Sequence, residues 1–352
     1  MVVSENITRK RNDMLDAGKT LACLAVILIH CVFPGKIGVL LRTLSKFGVP
    51  FFFAISGYFN KGPVTRKLKH IGFLCVLTEL LYFVFDGARI ILKNIILSPE
   101  LVGGGKLLTL GAIFRNVVFN SPFTRPHLWF LYALLYCYLM SAVMQRVNNK
   151  IKLVLSLTLI MAFTVTSELA GVIGINNRLD FELPTGEIAG SYIYNLFIFR
   201  AYPFFALGEL LRGHEKKIIE FFTDKKLTYC AVFGSFLAVA ERLLLMESQF
   251  YLGTYLFTLA LFVFCIKYDG SLIQGEVWKQ IVQFGRESSV YVYIIHIAVY
   301  DLIRLSFSLI VTGEKTGIIQ SVEVLLTIIV TCLLASAIAF AKRRKTKFST
   351  AS

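Results

Sequence analysis

The residues of this chain best suited to chemistry begin with Lys19 and His30, which bracket the apolar run TLACLAVILI. On a helix their spacing turns through about 1,100°, three turns plus roughly 20°, so both side chains share a face about 16 Å apart along the axis. Asp16 lies on nearly the same stripe, about 21 Å from His30. A cation at one end of such a helix can hold an anionic group. A neutral histidine at depth can take a hydroxyl proton, since its pKa near neutrality suits a general base. The pair therefore fits an anionic cofactor held at Lys19, with a flexible thioester arm reaching His30. Ordinary roles compete: lysines snorkel at helix ends, aspartates cap helices, and core histidines bond to neighbouring helices. Ionisable groups at membrane depth are expensive, which favours the functional reading.

The elements that must position these residues are membrane helices. With 56% hydrophobic side chains and a mean hydropathy of +0.68 over 352 residues, the composition excludes a soluble enzyme with one shielded core. Apolar stretches of spanning length predict an all-α polytopic membrane protein with ten helices, over 17–33, 46–60, 71–92, 127–145, 152–170, 193–211, 227–246, 250–266, 289–311 and 318–341. Their continuity excludes a barrel, whose strands alternate every second residue. Basic clusters at 9–11, 61–69, 146–152, 212–217, 225–226 and 342–347 fall on one side, which puts both termini in the cytoplasm. The polar loops 93–126 and 175–191, the latter with Asp180, Glu182 and Glu187, then lie outside. The net charge of +15 reads as a topology signal and a match to anionic lipid headgroups, not as nucleic-acid binding. One membrane domain covers 1–352, with a basic segment before residue 17 and a basic tail from 342. The N-terminal basic stretch precedes an uncleaved first helix, since no small-residue cleavage site follows.

Further candidates sit within these spans. His127 and Trp129 open the fourth helix at the outer mouth, where they can meet an acceptor, although Trp commonly anchors that interface. Arg200, inside an apolar span, needs a partner among Glu79, Asp86, Glu168, Glu209 and Glu241. Glu79, near the middle of the third helix, is the carboxylate best placed to orient His30. The small pair Ser56–Gly57 reads as close helix packing, and no GxSxG elbow surrounds it. The seven cysteines and five histidines show no metal spacing, and the cysteines read as packing residues.

With Lys19, ten residues and His30, followed by GVPFFFAISGYF (48–59), RPHLWFLYALLYCYLM (125–140), FRAYPFFALGELL (199–211) and SSVYVYIIHIAV (288–299), nearly the whole chain resembles the acyltransferase-3 family of integral membrane acyltransferases. That family carries an arginine where this chain has Lys19, which keeps the charge and loses the planar fork that grips phosphate. The resemblance implies transfer of an acetyl or other acyl group from cytoplasmic acyl-CoA to a hydroxyl of an extracytoplasmic acceptor, in many members a cell-surface glycan. It also implies that Arg66 and Lys69, matching a pair of arginines three apart, join Lys19 on the CoA phosphates. Read without the family, they are a positive-inside loop. Arg200 recurs in the family, implying acceptor binding or stabilisation of the thioester oxyanion. His296 recurs too, with a structural hydrogen bond as its default role. The VPFFF and HLWF stretches also resemble the membrane half of serine racemases from vancomycin-resistance clusters. That likeness implies a rival function, delivery of a small molecule such as L-serine. A purely structural scaffold fits poorly with Lys19, His30 and Arg200 inside apolar spans.

Overall fold

The first helix, α1 (Asp13–His30), starts where the Asn12 side chain accepts from the Leu15 N–H at 2.7 Å and ends at its histidine. Asp13 and Asp16 in its first turn complement the positive helix end. The computed structural model describes residues 12–97, 110–169, 196–245, 247–269, 275–311 and 315–349, and no strand occurs among them. The basic cluster 9–11, the loop 175–191 with Asp180, Glu182 and Glu187, and the side chain of Glu168 lie outside the described residues.

Helices α2 (Gly35–Ser45) and α3 (Gly48–Tyr58) run as one apolar segment over 35–58, so the second span begins earlier than expected. α4 (Val64–Leu97) also starts early and takes Arg66 and Lys69 out of the expected loop into its first turns. α5 (Leu110–Phe119) and a 3-10 turn (Pro126–Leu128) lead into α6 (Trp129–Val143). α7 (Asn149–Phe163) continues into a π turn at Thr164–Glu168. The sixth expected span is broken at Ala201 into α8 (Phe197–Arg200) and α9 (Tyr202–Gly213), with Pro203 in the first turn of α9. α10 (Glu215–Phe221), α11 (Asp224–Leu244) and α12 (Leu252–Lys267) follow. The amphipathic α13 (Glu276–Glu287), unforeseen in the sequence, then precedes α14 (Ser289–Ile310) and α15 (Gly317–Ser349). The basic segment expected as a tail beyond 341 continues α15 as helix through Ser349.

Seven of the described segments are long and apolar enough to cross a bilayer. The remaining three expected spans are helical but fall short of that measure: α1 carries charges in its first turns, α8 and α9 are broken, and α12 has 16 residues. Large apolar side chains face outward in rows, as Phe73, Val76, Leu80 and Phe83 do on α4 and Val232, Phe233 and Phe236 on α11. Such surfaces suit lipid, where helix association relies on close packing rather than on the hydrophobic effect. α1 is central, packed against α3, α12, α13 and α14.

The crossing of α3 and α9 shows what close packing requires. A Cβ at Gly57 would collide with the Phe205 carbonyl, and one at Gly208 with the Ala54 carbonyl. Only hydrogen fits at either position, so Gly57 of the Ser56–Gly57 pair serves packing, while Ser56 lines the cavity described below. Gly208→Leu should lower stability by about 1–3 kcal/mol or abolish folding. The thermal midpoint of the detergent-solubilised variant measures this, and an unchanged midpoint would refute the packing account.

Candidate active site

His30 closes α1, His127 sits in the 3-10 turn before α6, and His296 lies within α14. The fold brings the three rings together. Centroids of His30 and His296 are 5.3 Å apart, those of His127 and His296 5.1 Å, and those of His30 and His127 6.1 Å. His296 and His127 are buried, whereas His30 is exposed. Nδ1 of His296 lies 3.1 Å from the Val292 carbonyl and 2.9 Å from that of Tyr293. Since a carbonyl only accepts, Nδ1 carries the proton and Nε2 of the neutral ring presents its lone pair. The Nε2 atoms of His127 and His296 are buried and have no hydrogen-bond partner among the described residues.

Several contacts fix this cluster. Tyr293 donates to the His127 carbonyl at 2.5 Å, and Tyr82 donates to the Ile294 carbonyl at 2.7 Å while its ring stands 5.1 Å from that of His127. Arg125, just ahead of the 3-10 turn, pairs with Asp86 on α4 and with Asp301 on α14 at 2.9 Å. Glu79 belongs to the same frame. Its carboxylate accepts from the backbone of Phe123 and Thr124 at 2.9 Å each, from the Thr124 hydroxyl at 2.6 Å and from Tyr132 at 3.0 Å. Both oxygens are therefore engaged by the segment leading to His127, and the ring that stands against His30 is His296.

At the other end of α1, Lys19 donates to Asp16 Oδ1 at 2.7 Å, while Arg286 of α13 reaches Asp16 Oδ2 at 2.8 Å and Asp13 at 2.5 Å. Burial opposes the charge on Arg286, but the Asp16 and Asp13 carboxylates hold its guanidinium above the ordinary arginine range. Its neighbour Gly285 permits this approach, because a Cβ there would strike the Asp16 carbonyl. A cavity of about 760 Å³ opens beside the group, lined at this end by Lys19, Arg286, Lys67 and His70. Lys67 is held by Asn60, which in turn donates to Glu209 at 2.6 Å and to Ser141 at 2.8 Å. The cavity continues along Ile55, Phe52, Leu134 and Phe130 to Val26 and Tyr293. Val26 stands one turn, about 6 Å, before His30 on α1, and the Tyr293 ring is 5.8 Å from that of His127. His30 itself lies just past the lining residues.

The structure thus places Lys19 on the cavity, whereas His30 and His127 do not line it and stand beyond Val26 and Tyr293, which do. Arg66 and Lys69 are exposed and outside the lining; their neighbours, the half-buried Lys67 and the exposed His70, line the cavity. Trp129 packs inward, 5.9 Å from Phe53 and with the Arg200 guanidinium 4.2 Å from its ring centre. Arg200 also donates to Gln249 at 3.1 Å. Among its expected carboxylate partners, Glu79 and Asp86 serve the 123–125 segment, Glu209 the Asn60–Ser141 pair, and Glu241 the Gly253 N–H at 3.0 Å. Sequence reasoning missed Arg286, which nothing in its amphipathic helix singled out, and gave His296 only a structural bond. Among the described residues no group of three or more His, Cys, Asp or Glu side chains is arranged to hold a metal ion.

Apolar outer faces on long helices around an interior cavity describe a multi-pass integral membrane protein. A family model described as an acyltransferase domain, that of the acyltransferase-3 proteins, matches residues 12–341, and the chain belongs to this family of membrane acyltransferases. Neither curated proteins nor solved structures show a match to the chain.

Removing the Glu79 carboxylate leaves the 123–124 donors in need of a partner. Glu79→Ala should therefore cost about 1–3 kcal/mol, and Glu79→Gln less. Thermal melts of both variants in detergent test this, and equal midpoints for both variants and the parent would overturn the anchoring role.

Proposed function

We propose that the protein transfers an acetyl or other acyl group from cytoplasmic acyl-CoA to a hydroxyl of an extracytoplasmic acceptor, a cell-surface glycan being the leading candidate. It would do so in the cell membrane with both termini cytoplasmic. The observation that carries this reading is the single cavity joining the Lys19–Arg286–Lys67 cations to the edge of the histidine cluster. Its size falls within the range of small-molecule sites, and its apolar length suits an extended thioester arm. Clustered cations suit the CoA phosphates, with Lys19, Arg286, Lys67 and His70 facing the donor. Arg66 and Lys69, exposed in the same turns of α4, add positive field and anionic-lipid contacts.

In the reaction His30 takes the acceptor hydroxyl proton as that oxygen attacks the thioester carbonyl. The tetrahedral intermediate then expels the CoA thiolate, which recovers the proton from His30. His127, beside His30, meets the acceptor. Arg200 acts through Trp129, whose face it covers, to hold the 126–129 turn in place, and Glu79 acts on the same turn through residues 123 and 124. The rival reading, a delivery module for L-serine, gains no support from the family match.

The test uses purified protein in lipid nanodiscs with acetyl-CoA and a cell-surface glycan extract, following free thiol. His30→Ala should slow release by about 10²–10⁴-fold. Arg286→Gln should raise the KM for acetyl-CoA by about tenfold. Undiminished release by a folded His30→Ala protein would remove His30 as the base. No release and no acetyl-CoA binding by the parent would remove the acyl-CoA reading itself.

A further inference from the structure

His296 is the buried group that the proposed reaction leaves unused. It is fully enclosed, its Nδ1 is committed to the Val292 and Tyr293 carbonyls, and its Nε2 has no partner among the described residues. A buried acceptor left unpaired is costly, and native proteins retain such a group where something arrives to pair with it. The ring nearest to it on the exposed side is His30, at a centroid separation of 5.3 Å and a tilt of 44°. A direct N–H···N bond of about 2.9 Å between two imidazoles puts their centroids roughly 5 Å apart. The two rings are therefore within a small rotation of such a bond.

We infer that His296 is the positioning residue for His30: it accepts the N–H of the His30 ring, so that the opposite His30 nitrogen presents its lone pair to the acceptor hydroxyl. This inference rests on the acyl-transfer reading above and gives His296 the role that a carboxylate fills in a catalytic triad. The proton count is simple. The hydroxyl proton moves to the free nitrogen of His30, the positive charge so formed is held by the bond to His296, and the same proton leaves with the thiolate. His296 neither gains nor loses a proton. A neutral acceptor stabilises the imidazolium less than a carboxylate does, but it adds no buried charge to a site where Glu79 and Asp301 are already engaged with other partners. Its lone pair is also fixed, because two backbone carbonyls hold the tautomer. His127, whose ring is 5.1 Å from that of His296, closes the other side of the same space.

Two amide substitutions separate a packing role from this one. His296→Asn keeps an N–H near the position of Nδ1, and with it the bond to the backbone carbonyls, but deletes the acceptor at Nε2. His296→Gln extends an amide oxygen to about where Nε2 stands. Thiol release from acetyl-CoA in the presence of the glycan extract is measured for both, alongside acetyl-CoA binding and thermal midpoint. The expected result is an Asn variant that folds and binds acetyl-CoA with KM within about twofold of the parent but turns over roughly 10²-fold more slowly, and a Gln variant that recovers at least about tenfold of that loss. An Asn variant with parental kcat overturns the inference, as does a loss that falls on KM. If the Asn variant fails to fold, a folded Gln variant as slow as His30→Ala overturns it as well. Full thiol release by His30→Ala would instead sink the base assignment beneath it, so the two failures are distinguishable.

Discussion

Asp16 is the point on which the arrangement turns. Its carboxylate, buried on the first helix, holds Lys19 through one oxygen and Arg286 through the other. A lone carboxylate there would be expensive, and paired on both oxygens it becomes a fixed link between α1 and α13. The link sets the rotation of α1. Because Lys19 and His30 share a face of that helix, a constraint on the first turns also decides where the histidine points, about 16 Å further along. Gly285 allows the approach, since the α13 backbone meets that of α1 only where a side chain is missing.

What the sequence revealed was what depends on one helix at a time. The Lys19–His30 alignment follows from helical periodicity alone, and the helical membrane class follows from apolar run length. The relationships between helices were not legible. Arg286 belongs to a charged amphipathic stretch that reads as an ordinary solvated face until α13 is laid on α1. His296 is one polar residue in an apolar span until α14 places it against His30. Arg66 and Lys69 stood out by their resemblance to the family's paired arginines, yet α4 continues through them and it is Lys67 and His70 that line the cavity. Glu79 had the depth expected of a partner for His30, but the 123–124 segment folds over it and takes its oxygens. The segment around Arg200 was read as one span, and the break at Ala201 with Pro203 behind it shortens that span into two helices.

The site separates its two kinds of polarity. Charged groups gather at one end of the cavity, where Lys19, Arg286 and Lys67 are each held by an acidic or amide neighbour. Beyond the other end stands the cluster of imidazoles, with Arg125, Asp86 and Asp301 beside it tied to one another. A neutral cluster is tolerable at depth in a way that three charges would not be. Between the ends the lining is mostly aromatic and aliphatic, with Ser56 and Ser289 among it.

The rings at the far end also bear on the membrane's integrity. Phe130 and Tyr293, 5.2 Å apart, line the end of the cavity nearest to His127, and His127 and His296 are both buried. A bilayer that stores an ion gradient cannot hold a protein with an open bore, so the packing of these rings matters beyond any chemistry they do. Substitutions that enlarge the packed layer holding the histidines together would therefore remove protein from between the two sides of the membrane, and the variant to watch is one that leaks.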